Sequence, residues 1–237
     1  MIRNQYPDEE REIRERLARI RETVREEALR AVRDEQEITI MGVTKTVPAH
    51  RVNLALTAGV TLLGENRAQE LRDKFDAYDC GPEKIHFIGH LQTNKIRDIM
   101  GKVSCVQSVD SVRLAEALSQ AVLNRSDSLA VFLQVNIGRE ETKSGFLPEE
   151  MPDALKRISE LPGLRVEGLM AIPPRGAGDR YLGEMAQLRA QLAALELPGV
   201  SLSHLSMGMS EDYPLAVRWG ATILRIGRGI FGERDIR

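Results

Sequence analysis

The residues most able to do chemistry sit where apolar runs give way to polar ones. The run Ile38 to Val43 ends in Thr44-Lys45. An amine at the mouth of a packed interior loses solvation, which lowers its pKa and frees its lone pair. A neutral amine can attack an aldehyde and form a Schiff base. Position alone favours an ordinary solvated lysine just past a strand. Arg225 interrupts the apolar run "TILRIG", and strand alternation places Ile223, Arg225 and Gly227 on one face. A buried guanidinium needs a partner. Either an internal salt bridge or an acceptor atom on a ligand would serve.

The segment "SMGMSEDYPLAVRWG" (Ser206 to Gly220) joins a flexible turn to a helix start. Ser210 has the chemistry of an N-cap, with Glu211 and Asp212 in the first turn. The free N–H groups of such a turn also cradle phosphate. "IGRGIFG" (Ile226 to Gly232) offers a second set of backbone donors around Gly227 and Arg228. Glu211 and Asp212 oppose an anion there, whereas Arg228 favours one. His86 and His90 lie four residues apart around a strand end, with no Cys or carboxylate completing a ligand set, so no metal site is expected. There is no G-x-S-x-G elbow and no phosphate-binding G-x-x-x-x-G-K-[ST] loop.

The elements that must position these groups alternate. Short apolar runs occur at Ile38 to Val43, Val60 to Leu63, Ile85 to Ile88, Val103 to Gln107, Leu129 to Val135, Leu164 to Ile172, Val200 to Leu205 and Thr222 to Ile226. Helical stretches lie between most of them, for example Asp110 to Leu123, Pro148 to Glu160 and Asp179 to Leu195. Eight βα units in a chain of 237 residues predict an α/β fold, a single closed (β/α)₈ TIM barrel, rather than an open doubly wound sheet. Barrels of this kind carry their sites at the carboxyl ends of the strands. Ahead of the first strand, Ile13, Leu17, Ile20, Val24 and Ala28 form one stripe of a helix over residues 8–33, expected to start with Asp8 as N-cap and to pack outside the barrel. Pro173 to Asp179 reads as a long strand-to-helix loop. No linker divides the chain, so one domain over residues 1–237 is expected.

With 42% hydrophobic and 29% charged residues and a net charge of −2, the balance is that of a soluble globular protein with no field selecting nucleic acid or membrane. Cys80 and Cys105 make no disulfide framework. The N-terminus lacks a signal-like apolar stretch, so a reducing cytoplasm is expected. The low aromatic content, 4%, points to a monomer.

Several motifs in order carry a resemblance across nearly the whole chain. They are "VTKTVP" (Val43 to Pro48), "GENRAQE" (Gly64 to Glu70), "HFIGHLQTNK" (His86 to Lys95), "NIGREETKSGF" (Asn136 to Phe146), "GLMAIP" (Gly168 to Pro173), "LSMGMSEDY" (Leu205 to Tyr213) and "RIGRGIFGER" (Arg225 to Arg234). In these the chain resembles the pyridoxal phosphate homeostasis proteins, the YggS-like or PROSC-like family of barrels akin to the N-terminal domain of alanine racemase (fold type III among pyridoxal phosphate proteins).

The resemblance implies pyridoxal 5′-phosphate as cofactor and Lys45 as its Schiff-base lysine. Asn66 would lie beside the pyridine ring, and Ser210, Gly227 and Arg228 where the family holds the phosphate. Arg225 would face the pyridine nitrogen, and Lys143 matches a second family lysine linked to cofactor exchange. Where the family has a small hydroxyl residue this chain has Arg228, so that hydroxyl contact is gone. A cation beside the pyridine nitrogen disfavours its protonation and weakens the ring as an electron sink. That suits a non-catalytic carrier in cofactor homeostasis, with pyridoxal phosphate-dependent apo-enzymes as recipients, although the related alanine racemases place an arginine there too. The alternative is an amino-acid racemase. It needs a second base, supplied in such enzymes by a tyrosine on a second domain for which this chain leaves no room, and Tyr213 is the one tyrosine near the expected site. A third reading is an interaction module whose N-terminal helix docks a partner.

Overall fold

The computed structural model describes residues 6–125, 127–174, 176 and 178–233. Arg234 of the last motif, and Arg175 and Ala177 of the expected 173–179 loop, lie outside the described residues. Eight strands pair in sequence order and close into a barrel: β1 (Thr39–Val43), β2 (Leu62–Glu65), β3 (Ile85–Phe87), β4 (Cys105–Val109), β5 (Leu129–Val135), β6 (Leu164–Ala171), β7 (Val200–Ser206) and β8 (Ile223–Ile226). Every neighbouring pair is parallel, including β1 with β8. The helices are α1 (Pro7–Arg30), α2 (Ala49–Thr57), α3 (Ala68–Lys74), α4 (Ile96–Ile99), α5 (Val112–Leu123), α6 (Met151–Ser159), α7 (Gly178–Ala193), α8 (Tyr213–Arg218) and α9 (Arg228–Phe231). The fold is a (β/α)₈ barrel with an additional N-terminal helix.

Strands of such a barrel are buried on both faces, which is why they read as nearly unbroken apolar runs. Their inward side chains, among them Met41, Leu62, Cys105, Phe132, Met170 and Ile223, fill the interior. Outward ones join the larger apolar layer beneath the helices. The barrel is therefore a packed core, open to chemistry only at its ends.

The stripe Ile13, Leu17, Ile20, Val24 and Ala28 of α1 is buried, and the helix packs on α2, α8 and α9. It starts earlier than expected. Pro7 is its first residue and Tyr6 its N-cap, so Asp8 falls in the first turn with Glu9 and Glu10. Proline lacks the N–H that would go unbonded there and has its φ preset, so it fixes the start.

At the other end Arg33 N donates to Ala28 O at 2.9 Å and Val32 N to Leu29 O at 3.1 Å. This is the double closure that favours glycine in the left-handed position. The residue there is Val32, with φ 54° and 94% of its surface exposed. A β-branched side chain pays for that conformation and gains no burial. Val32→Gly is expected to raise unfolding stability by about 1 kcal/mol, read from the urea midpoint.

Candidate functional site

Lys45 lies two residues past β1, in a turn bolted from both sides. The Thr46 N–H donates to Glu70 Oε1 at 2.6 Å, and Thr46 holds φ 63°, a strained value for a non-glycine residue. The Lys74 ammonium donates to Thr44 O and Val47 O at 3.0 Å each and to Glu70 at 2.8 Å. Its three donors are spent on structure. Below the turn, buried Glu65 accepts from the Thr44 hydroxyl at 2.6 Å and the Tyr78 hydroxyl at 2.5 Å. Burial, with Glu65 alongside, pushes the Tyr78 phenol pKa up. Residues of α3 and β2 thus hold the backbone that carries Lys45.

Asn66 follows β2 directly. Its backbone runs so close to Gly89 that a Cβ on Gly89 would sit 1.9 Å from Asn66 O, which explains the glycine in "IGH". The Asn66 Oδ1 atom is buried without a hydrogen-bond partner. Such an acceptor normally has one.

β8 adjoins β1, with Arg225 opposite Met41, so the ends of the two strands meet. Arg225 is 4% exposed. Its Nη1 donates to the Ser206 hydroxyl at 2.8 Å and its Nη2 to Ala171 O at 2.7 Å. The partners are neutral, so the internal ion pair allowed by the sequence is not what holds it. Burial lowers its pKa to about 10 while Asp212 works the other way, leaving a cation at neutral pH. Two of its five N–H donors are engaged.

Gly227 has φ −102°, and a Cβ there would meet Val43 Cβ at an ordinary 3.6 Å. Crowding by the fold does not call for glycine at that position. The Gly229 N–H donates to Ser210 Oγ at 3.4 Å, joining the turn after β7 to the turn after β8. Ser210 is not the N-cap of α8. The helix begins at Tyr213 with Asp212 at the cap position and Pro214 in its first turn, and Asp212 Oδ1 accepts from Met209 N at 2.7 Å. Proline again sets the start. The Arg228 side chain turns to the surface and pairs with Glu211 at 3.0 Å. It screens the carboxylate that opposes an anion, and its own charge is committed to that pair.

The ends of β7, β8, β1 and β2 are consecutive around the barrel, so Ser210, Arg225, Gly227, Lys45 and Asn66 converge on one sector. Lys143 does not join them. It sits in the loop after β5, 41% exposed and 3.2 Å from Glu140. Buried Asn136 ties that loop down through Glu140 O, Glu140 N and Lys143 O. His86 faces Gln107 across β3 and β4, whereas His90 pairs with Asp110 at 3.1 Å. Sequence reasoning missed Glu65, Glu70 and Lys74 as the clamp on the Lys45 turn. The signal was available: two carboxylates and a lysine at a strand end and one helical turn on.

Among the described residues no helix is long and apolar enough to cross a membrane. Residues 13–235 match the family model described as the alanine racemase N-terminal domain. A pyridoxal phosphate homeostasis protein of Aquifex aeolicus is 39% identical over 93% of this chain and 97% of its own length. This chain belongs to the pyridoxal phosphate homeostasis protein family. The member from Escherichia coli K12 is 36% identical, covering 94% of this chain and 97% of that one. Among solved structures, PipY of Synechococcus elongatus with pyridoxal phosphate bound superposes with a TM-score of 0.76 at 32% identity, covering 93% of this chain and all of PipY. An alanine racemase of Clostridium difficile shares the barrel at a TM-score of 0.71 but only 17% identity, the match covering 94% of this chain and 56% of the racemase. That likeness is one of fold. Within the homeostasis family, the converging sector marks where this member's polar groups and open glycine meet.

Proposed function

We propose that this protein binds pyridoxal 5′-phosphate at the β7–β8–β1–β2 sector and serves cofactor homeostasis in the cytoplasm as a carrier, without substrate turnover. The observation that carries the reading is Arg225, a buried cation held by neutral partners with N–H donors to spare, beside a strand end bearing a clamped lysine. The residues fit the group. Lys45 would hold the cofactor through its amine, for which the cofactor would supply the aldehyde. Arg225 donates to an acceptor, and a pyridine nitrogen accepts only when unprotonated. Asn66 Oδ1 is an unused acceptor bordering the ring's place. Backbone donors near Ser210, Gly227 and Gly229 suit the phosphate. When bound, the cofactor supplies an electrophilic aldehyde and an electron sink, the latter weakened by a neutral ring nitrogen.

The test is a purified sample given the cofactor, reduced with borohydride and mapped by mass spectrometry, with L-alanine racemisation measured alongside. An adduct at Lys45 and no steady D-alanine is expected. Sustained racemisation would sink the carrier reading in favour of the enzyme. Transfer of the cofactor to apo-enzymes is the finer part of the proposal, followed by return of activity in a mixed apo-enzyme.

Gly227 gives a sharper prediction. The Cβ added in Gly227→Ala meets only ordinary contacts, so apo stability should fall by no more than about 1 kcal/mol. The added methyl occupies space next to the phosphate donors, so affinity for the cofactor should fall by about tenfold or more, about 1.4 kcal/mol. Equilibrium dialysis beside a urea titration checks both halves.

A further inference from the structure

Beneath the proposed site a line of buried polar side chains crosses the barrel, and neither the fold nor the Schiff-base chemistry requires it. Ser206 and Gln107 are fully buried. Arg225 Nη1 reaches Ser206 Oγ at 2.8 Å, Ser206 Oγ reaches Gln107 Oε1 at 2.7 Å, and Gln107 Nε2 reaches His86 Nδ1 at 2.7 Å. Four strands, β8, β7, β4 and β3, contribute one residue each.

With the Gln107 amide oriented Oε1 toward Ser206 and Nε2 toward His86, donor and acceptor capacity gives each link its direction. A guanidinium only donates, so Ser206 oxygen accepts. The single Ser206 proton is then free to go to Gln107 Oε1. That orients the Gln107 amide and turns its NH₂ toward His86. His86 Nδ1 must therefore hold a lone pair, with the ring neutral and its proton on Nε2. Burial agrees, holding the His86 pKa down at about 4. A protonated His86 would put two donors face to face and disturb each link up to Arg225. Other titratable groups facing the line are Asp212, which favours the Arg225 cation, and His204, on the far side of Phe132 from His86.

With Ala171 O on β6 as second acceptor, the Ser206 link holds the guanidinium plane between two strands. Buried polar groups with every partner in place are rigid, and that rigidity would aim the remaining donors of Arg225.

We propose that Ser206, Gln107 and His86 are positioning residues for the pyridine side of the cofactor site, a one-way hydrogen-bond relay that fixes the Arg225 guanidinium and so keeps the ring nitrogen unprotonated. This rests on the reading of Arg225 as the partner of that nitrogen. The relay touches no reacting atom. It acts through Arg225, and its effect must fade with each link away from it.

The experiment is a ¹⁵N NMR titration of ring-labelled pyridoxal 5′-phosphate bound to wild-type protein, Ser206→Ala, Ser206→Thr, Gln107→Leu and Arg225→Leu. Far-UV circular dichroism confirms folding. In Ser206→Ala the protonation midpoint of the ring nitrogen should rise by about one pH unit, a tenfold change in proton affinity. Gln107→Leu should raise it by less, and Ser206→Thr, which keeps the hydroxyl, should restore it. If Arg225→Leu moves the midpoint while Ser206→Ala and Gln107→Leu leave it at the wild-type value, the relay is wrong and the site reading stands. If Arg225→Leu itself moves nothing, the assignment of Arg225 fails instead. Should Ser206→Ala not fold, the comparison of Gln107→Leu with wild type decides.

Discussion

Lys45→Ala protein incubated with pyridoxal 5′-phosphate and borohydride is expected to carry no reduced adduct and to lose the yellow colour of the complex. The competing amines explain why the loss should be complete. Lys74 is nearest in the fold's wiring, but its ammonium is committed to two carbonyls and Glu70. Lys143 lies four strands round the barrel and pairs with Glu140. Neither can replace an amine carried by a turn that Glu70, Lys74 and the left-handed Thr46 hold in place. Backbone donors at Ser210 and Gly229 remain in the variant, so phosphate-driven binding should persist. We expect an affinity about 100-fold weaker, about 2.7 kcal/mol. An adduct of undiminished yield in Lys45→Ala would move the anchor to another lysine and take the proposed geometry with it.

Much of the fold was legible because barrel strands must be apolar on both faces, so eight runs stood out against polar helices. Two boundaries slipped by the same amount for a physical reason. The second strand was expected over 60–63 and lies at Leu62–Glu65. The fourth was expected over 103–107 and lies at Cys105–Val109. Both continue into polar residues that look like loop, and Glu65 is held at the strand end by Thr44, Tyr78 and Lys74, which all gather on one oxygen, Oε1, of its buried carboxylate. Two helices start elsewhere than side-chain caps at Asp8 and Ser210 would put them, because a proline in the first turn, Pro7 or Pro214, sets the start. The convergence of Lys45, Asn66, Ser210, Arg225 and Gly227 followed from the rule that strand ends gather. The relay beneath them could not be read. Ser206 and Gln107 are 99 residues apart, and a lone Ser or Gln at a strand end carries no signal of its partner.

The relay's far end contributes to the protein's response to acid. His86 is held by a donor at Nδ1 and by the Phe132 ring, edge-on at 6.1 Å, and burial, then His204, takes its pKa from 6.5 to about 4. Above pH 6.5 the ring is neutral whether the chain is folded or not, and it costs nothing. Between 6.5 and about 4 the unfolded chain takes up a proton that the folded one refuses, so stability falls with pH. Below about 4 both forms are protonated and the loss is complete. At about 1.4 kcal/mol per tenfold, the full loss is about 3 kcal/mol. Carboxylates contribute in the same range. Glu27, hydrogen-bonded to Arg218, has its pKa lowered and gives up stability as it protonates. Such terms are common to wild type and to His86→Gln, whose amide oxygen can accept from Gln107 in place of Nδ1 but cannot titrate. Urea unfolding from pH 7 to 4 should therefore show the wild type losing about 3 kcal/mol more than His86→Gln. Parallel curves would mean that His86 takes its proton without opposing Gln107, and the one-way direction of the chain to Arg225 would fall with that result.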